Sequence, residues 1–208
     1  AQALDAWARK RGVTPFVGIA VAYLRALHEC TGHEQVVIGT PHHGRHDPGF
    51  AGTVGYFVNL LPLLGDFRDR PDRDGLADRV WRELRDALRC ADVPLSRLIR
   101  ALGPASRGDR TPLFQATLTF QQSADDLPLA EGFAAPWSGV GQVMGGVEVE
   151  AFDLPPRDAA FALALYGARD RDRLAFRLVW QRDVVDEPLA HRLRDAIRRG
   201  VLRFDSEG

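Results

Sequence analysis

From Val54 to Leu63 the chain reads Val-Gly-Tyr-Phe-Val-Asn-Leu-Leu-Pro-Leu, an apolar run broken by one amide side chain, Asn59. Apolar residues at consecutive rather than alternate positions mark a strand covered on both faces, so Phe57 to Leu64 is expected at the centre of a sheet. An amide buried there without partners costs about 1–3 kcal/mol. Asn59 is therefore expected to hydrogen-bond to another chain segment or to a ligand.

The remaining elements follow from period and punctuation. Thr14 as N-cap and Pro15 in the first turn open a helix whose inner face is Phe16, Ile19, Ala20, Tyr23, Leu24 and Leu27, and Gly32 ends it. Gln35 to Gly39 reads as a strand, Gly65 to Gly75 as a charged, solvated loop, and Leu76 to Arg89 as an amphipathic helix. A short helix is expected after Pro94. In the next strand Phe114, Ala116, Leu118 and Phe120 alternate with Gln115, Thr117, Thr119 and Gln121.

Ser123 to Gly146 is rich in glycine and proline and has no helical period, which makes it a long connection. Beyond it, Val147 to Phe152, Ala160 to Tyr166 and Leu174 to Trp180 are expected strands. Asp186 and Pro188 then open a final helix that turns Leu189, Leu193, Ile197 and Val201 inward. This order predicts an α/β fold, a mixed β-sheet with helices mainly on one face.

A net charge of -1 leaves no basic surplus for phosphate recognition, so no nucleic-acid partner is expected. No stretch reaches the roughly 18–20 apolar residues of a membrane span, and Ala1 to Lys10 lacks the apolar core of a signal peptide. A cytoplasmic location follows as the expectation. Cys30 and Cys90 form no C-x-x-C pair and are expected to be reduced. His42, His43, His46 and Asp47 are competent metal ligands, but they share one loop with Gly44 and Pro48 rather than the separated elements or i, i+4 helix spacing that metal sites use. No metal site is assigned to them.

Gly55, Phe57, Val58 and Asn59 resemble the G-x-F-V-N element of the condensation domains of nonribosomal peptide synthetases. Other segments resemble that family in the same order. They are Gly12-Val13-Thr14-Pro15-Phe16, Val36 to Pro41 with Gly44-Arg45, Asp92-Val93-Pro94-Leu95, and Thr111-Pro112-Leu113-Phe114-Gln115. The sequence departs from the family at Cys90 and Ala91, which replace His or Asn and Gln, and at Leu95 and Ser96, which replace Phe and Glu.

The resemblance implies a chloramphenicol-acetyltransferase-like lobe, with residues 1–208 forming the C-terminal lobe and residues 123–146 a latch-like crossover within it. The family's H-H-x-x-x-D-G motif belongs to the N-terminal lobe. His42-His43-Gly44-Arg45-His46-Asp47-Pro48 copies its spacing, but in the wrong loop and with Pro48 in place of glycine. No catalytic residue is therefore expected in this chain, and the isolated chain is expected to be inactive.

The resemblance further implies that Asn59, Arg45, Gln115 and Gly55 line or position an inter-lobe tunnel. No cofactor would be bound directly, and the phosphopantetheine arm of carrier proteins would serve as the substrate tether. The implied partners are peptidyl or acyl carrier proteins and the N-terminal lobe, and the implied reaction joins two carrier-bound acyl groups through an amide. A diverged, non-catalytic platform that recruits carrier proteins or tailoring enzymes is the alternative. An ester-forming acyltransferase of the same superfamily is a weaker one.

Overall fold

Helix α2 (Pro15–Thr31) follows α1 (Gln2–Arg11) and organises the molecule. Its ends fall where Thr14 and Gly32 place them, with Gly32 in the left-handed region at φ 73°. The burial is wider than one face. Val17 and Val21 are as buried as Ile19, Tyr23 and Leu24, because α2 is packed between the sheet and three other helices. The computed structural model describes residues 1–45, 47–50, 52–103, 113–122, 141–144, 146–150, 152, 159–170 and 173–204.

After α2 come β1 (Gln35–His42), β2 (Asn59–Asp66), α3 (Arg73–Arg89), α4 (Leu95–Leu102), β3 (Ala116–Gln122), β4 (Gly141–Met144), β5 (Val147–Glu150), β6 (Leu163–Asp170), β7 (Arg173–Trp180) and α5 (Glu187–Leu202). The main sheet has the order β2-β1-β3-β6-β7. β1 pairs antiparallel with β2 and parallel with β3; β3 is parallel to β6, and β6 is antiparallel to β7. The sheet is therefore mixed, as expected. Ile38, Leu63, Leu118 and Leu165 point from it into one core with α2, and Leu193 and Ile197 of α5 complete that core.

The strand carrying Asn59 is at the edge of the sheet, not at its centre. Pro62 gives the reason, since a residue without an N–H cannot serve a ladder on both sides and is confined to edges. Pro62 faces Gly39 of β1, and the outer residues Leu60, Pro62 and Leu64 are half-buried. The apolar run that mimics a central strand is covered on one side by the core and only partly on the other.

Two helix starts differ from expectation. Helix α1 precedes the first helix read from the sequence; it buries Leu4 and Ala8 and packs Ala3 and Trp7 against the core. Side chains fasten it to the rest of the fold. Asp5 makes a bidentate pair with Arg169 of β6 at 2.7 Å for both bonds, and Arg11 bridges Asp74 and Asp78 of α3 at 2.7 Å each. Helix α3 begins at Arg73, inside the stretch read as loop, because Asp72 caps it by accepting from Gly75 N at 2.7 Å. Within that stretch Asp66 pairs with Arg68 and Asp69 with Arg79, so these charges are paired locally at the surface.

The stretch from Ser123 to Gly146 is not wholly a connection, since Gly141–Met144 forms β4 and pairs with β5 in a separate two-stranded sheet. Phe133, Trp137 and the rest of 123–140 lie outside the described residues. The strands expected over 160–166 and 174–180 are β6 and β7, with β6 displaced to Leu163–Asp170. Asp186 caps α5 as expected, accepting from Leu189 N at 2.7 Å.

Candidate functional site

The register of β1 on β2 sets His42 opposite Asn59, so the loop after β1 and the loop before β2 emerge together at one corner of the sheet. At that corner the Asn59 amide is saturated by protein. Its Nδ2 donates to Ala91 O at 2.9 Å and Val93 O at 2.8 Å, and its Oδ1 accepts from Leu95 N at 3.1 Å. Both amide protons are used. The bond to Leu95 N satisfies one of the unpaired donors in the first turn of α4, where Pro94 at the N-cap has no side chain to do so. Asn59 thus fixes the start of α4 against the edge strand, and two motifs 30 or more residues apart become one structural unit.

Arg45 does the same for the segment that leads into β2. Its guanidinium donates to Phe50 O and, at 3.3 Å, to Gly55 O, and its Cζ lies 4.2 Å above the centre of the Phe57 ring. A cation over an aromatic face is attracted by the ring quadrupole, so the stacking adds to the two hydrogen bonds. The Phe50 ring packs on Phe57 at 5.6 Å between centroids. Gly44, at φ 66°, brings backbone onto backbone: a Cβ there would lie 2.0 Å from Phe57 O. Gly55 stands beside the same ring, where a Cβ would meet Phe57 Cε2 at 3.2 Å.

His42 and His43 belong to this loop and stiffen it. His42 Nδ1 accepts from Gly44 N at 3.2 Å and His43 Nδ1 accepts from Arg45 N at 3.0 Å, and their rings lie 4.5 Å apart. Accepting at Nδ1 places the ring proton at Nε2 in both. His46 lies outside the described residues. Among the described residues there is no group of three or more His, Cys, Asp or Glu side chains that could hold a metal ion.

Gln115 is elsewhere. It precedes Ala116, which pairs with Ile38, four positions before His42, or roughly 13 Å along the strands at the usual rise. Its carbonyl accepts from Leu163 N at 3.1 Å and its side chain is exposed. The structure therefore brings Asn59, Arg45 and Gly55 together and sets Gln115 apart. Along the polar face of β3, Thr117 is buried while Gln121 is exposed.

What this corner offers chemically is a braced surface. Val54 and Tyr56 are 100% and 87% exposed on a segment that is pinned on both sides by Arg45 and Asn59. Sequence reasoning missed the supporting aromatic Phe50, the stacking of Arg45 on Phe57 and the acceptor roles of His42 and His43. The signal available was the Gly44-Arg45 pair next to ring nitrogens and the aromatic residues ten or so positions on.

The family model described as the condensation domain matches residues 1–204. A relative named "Probable non-canonical nonribosomal peptide synthetase (NRPS) CymA", from Salinispora arenicola, is 32% identical over 183 residues, 83% of this chain. Malpinin synthetase from Mortierella alpina is 35% identical over 125 residues, 60% of this chain. The chain spans 2% of the length of each of these relatives.

Among solved structures, a holo four-domain nonribosomal peptide synthetase bound to AMP and glycine superposes with a TM-score of 0.86 at 18% identity, covering 99% of this chain and 16% of that one. The X-domain from teicoplanin biosynthesis superposes at 0.77 and 17% identity, covering 99% of this chain and 45% of that one. A mixed sheet with helices on one face is thus the chloramphenicol-acetyltransferase-like fold of these structures. The chain belongs to the condensation-domain family.

Proposed function

We propose that this chain is the C-terminal lobe of a nonribosomal peptide synthetase condensation domain and works against an N-terminal lobe to join two carrier-bound acyl groups. In the reaction the amine of one group attacks the thioester carbonyl of the other; the C–N bond forms, the C–S bond breaks, and the carrier's pantetheine leaves as the thiol. The base that takes the amine proton would come from the H-H-x-x-x-D-G motif of the N-terminal lobe. This lobe would supply a wall of the tunnel and a surface for the carrier proteins, with the phosphopantetheine arm as tether.

The observation that carries the reading is the bracing by Arg45 and Asn59 of the segment that leads into β2. Two reactive groups held on flexible arms gain rate from fixed orientation, and a wall that orients them must itself be rigid. Arg45 holds the segment before β2, Asn59 holds α4, and Gly44 and Gly55 allow the close approach. Gln115 would act at a separate point of the tunnel wall. The test is turnover by the complete domain with Arg45→Ala and with Gln115→Ala. Both are expected to lower kcat while the domain stays folded, and unchanged kcat in both would remove this lobe from substrate positioning.

A second reading has its own observation. Cys90, Ala91, Leu95 and Ser96 stand where the family carries other residues, and they sit in the segment that Asn59 holds. A platform that binds carrier proteins without catalysis tolerates such changes. An intact H-H-x-x-x-D-G motif in the N-terminal lobe together with product formation excludes it; carrier binding without turnover supports it.

A further inference from the structure

Between α5 and the outer strands β6 and β7 lies a cavity of about 510 Å³, on the helix-covered side of the sheet and three strands away from β2. Its floor is Leu174, Phe176 and Leu178 of β7, and its wall is Ile197 and Val201 of α5. It lies at the edge of the sheet, where α5 approaches the outermost strand β7. The volume falls within the roughly 300–1,000 Å³ of small-ligand sites.

The chemistry of the lining is narrow. Among the described residues, every side chain that lines it is aliphatic, phenyl or guanidinium, with no hydroxyl, carboxamide, imidazole or carboxylate. A sugar, nucleotide or peptide backbone placed there would lose its water without regaining hydrogen bonds from neutral partners. The charged side chains on it are Arg173, Arg194 and Arg198, and Ala1 also lines it. Arg194 is paired with Asp195 at 2.9 Å, and among the described residues that line the cavity there is no acid beside Arg173 or Arg198. Guanidinium is the side chain best suited to a carboxylate or phosphate oxygen pair.

We propose that this cavity binds an aliphatic chain ending in an anionic head group, of the fatty-acyl carboxylate class. The hydrocarbon lies along β7 against α5, and the head group sits between Arg173 and Arg198. The site is separate from the corner held by Arg45 and Asn59 and does not depend on the condensation reading.

The test is calorimetric titration of the 208-residue protein with sodium dodecanoate below its micellar concentration, beside dodecan-1-ol and dodecyltrimethylammonium. Saturable 1:1 binding of dodecanoate, at least tenfold tighter than either control, is expected. Arg173→Ser with Arg198→Ser should abolish that preference, and Val201→Trp, which fills the cavity, should abolish binding. The arginine variants alter surface side chains and keep the test decisive if the tryptophan variant fails to fold. No saturable binding, equal binding of the cationic control, or undiminished preference in the double arginine variant would overturn the proposal.

Discussion

Asn59 donates to the carbonyl oxygen of Val93 at 2.8 Å, tying the first residue of an edge strand to a turn 34 residues further along the chain. Together with the bonds to Ala91 and Leu95, it makes one side chain the joint between β2 and α4. Asn59→Ala removes all three bonds and leaves two carbonyls and an amide N–H without their partner. The expected loss is roughly 1–3 kcal/mol in chemical denaturation, and Asn59→Leu should recover none of it, since it restores volume but no polar group. Unchanged stability in both variants would show that water replaces the amide at no cost.

Gly44→Ala tests the loop held by Arg45. The substitution meets a left-handed φ of 66° and a carbonyl oxygen 2.0 Å from the new Cβ, so backbone must move. A loss of at least about 1–2 kcal/mol is expected, because that conformation alone costs this much for a residue with a Cβ. Arg45→Ala should instead cost little global stability and speed limited proteolysis between residues 50 and 57. A Gly44→Ala protein as stable as the parent would mean that the loop is not braced.

Tyr23 has a removable liability. The residue is wholly buried, its hydroxyl has no hydrogen-bond partner among the described residues, and burial pushes its phenol far above the usual range. Tyr23→Phe should be neutral or stabilising by up to about 1 kcal/mol, since it removes an uncompensated polar atom while keeping the ring. A clear loss in the thermal midpoint would reveal a partner for that hydroxyl.

The two thiols should differ in reactivity. Cys90 is exposed at the end of α3, whereas Cys30 is partly buried against α5 and burial pushes its thiol up despite nearby arginines. The thiolate is the reacting form, so a disulfide reagent at pH 8 should modify Cys90 several-fold faster. Cys30→Ser and Cys90→Ser assign the two phases. Faster reaction at Cys30 would contradict this packing.

Local signals in the sequence were reliable where one residue decides the backbone. Thr14 and Gly32 bound α2, Asp186 caps α5, and Pro94 precedes α4. They failed where the deciding contact is distant. Helix α1 has a short apolar face and is held in addition by Asp5 to Arg169 and Arg11 to Asp78, pairs separated by 164 and 67 positions. The edge position of β2 was legible in Pro62, but the apolar run around it outweighed that one residue. In the candidate site, the need for Asn59 to find partners followed from its apolar neighbours, while their identity in the Ala91 to Leu95 turn depended on the fold. The separation of Gln115 from Asn59 could not be read without the parallel pairing of β1 and β3.

The central proposal is that this chain supplies one wall of a two-lobe catalyst whose base comes from the other lobe. Single-turnover amide formation between two loaded carrier proteins tests it most directly, with this chain alone and then with the N-terminal lobe added in trans. The account predicts no product from the chain alone and product when the N-terminal lobe carrying H-H-x-x-x-D-G is present. Product from the chain alone would contradict it.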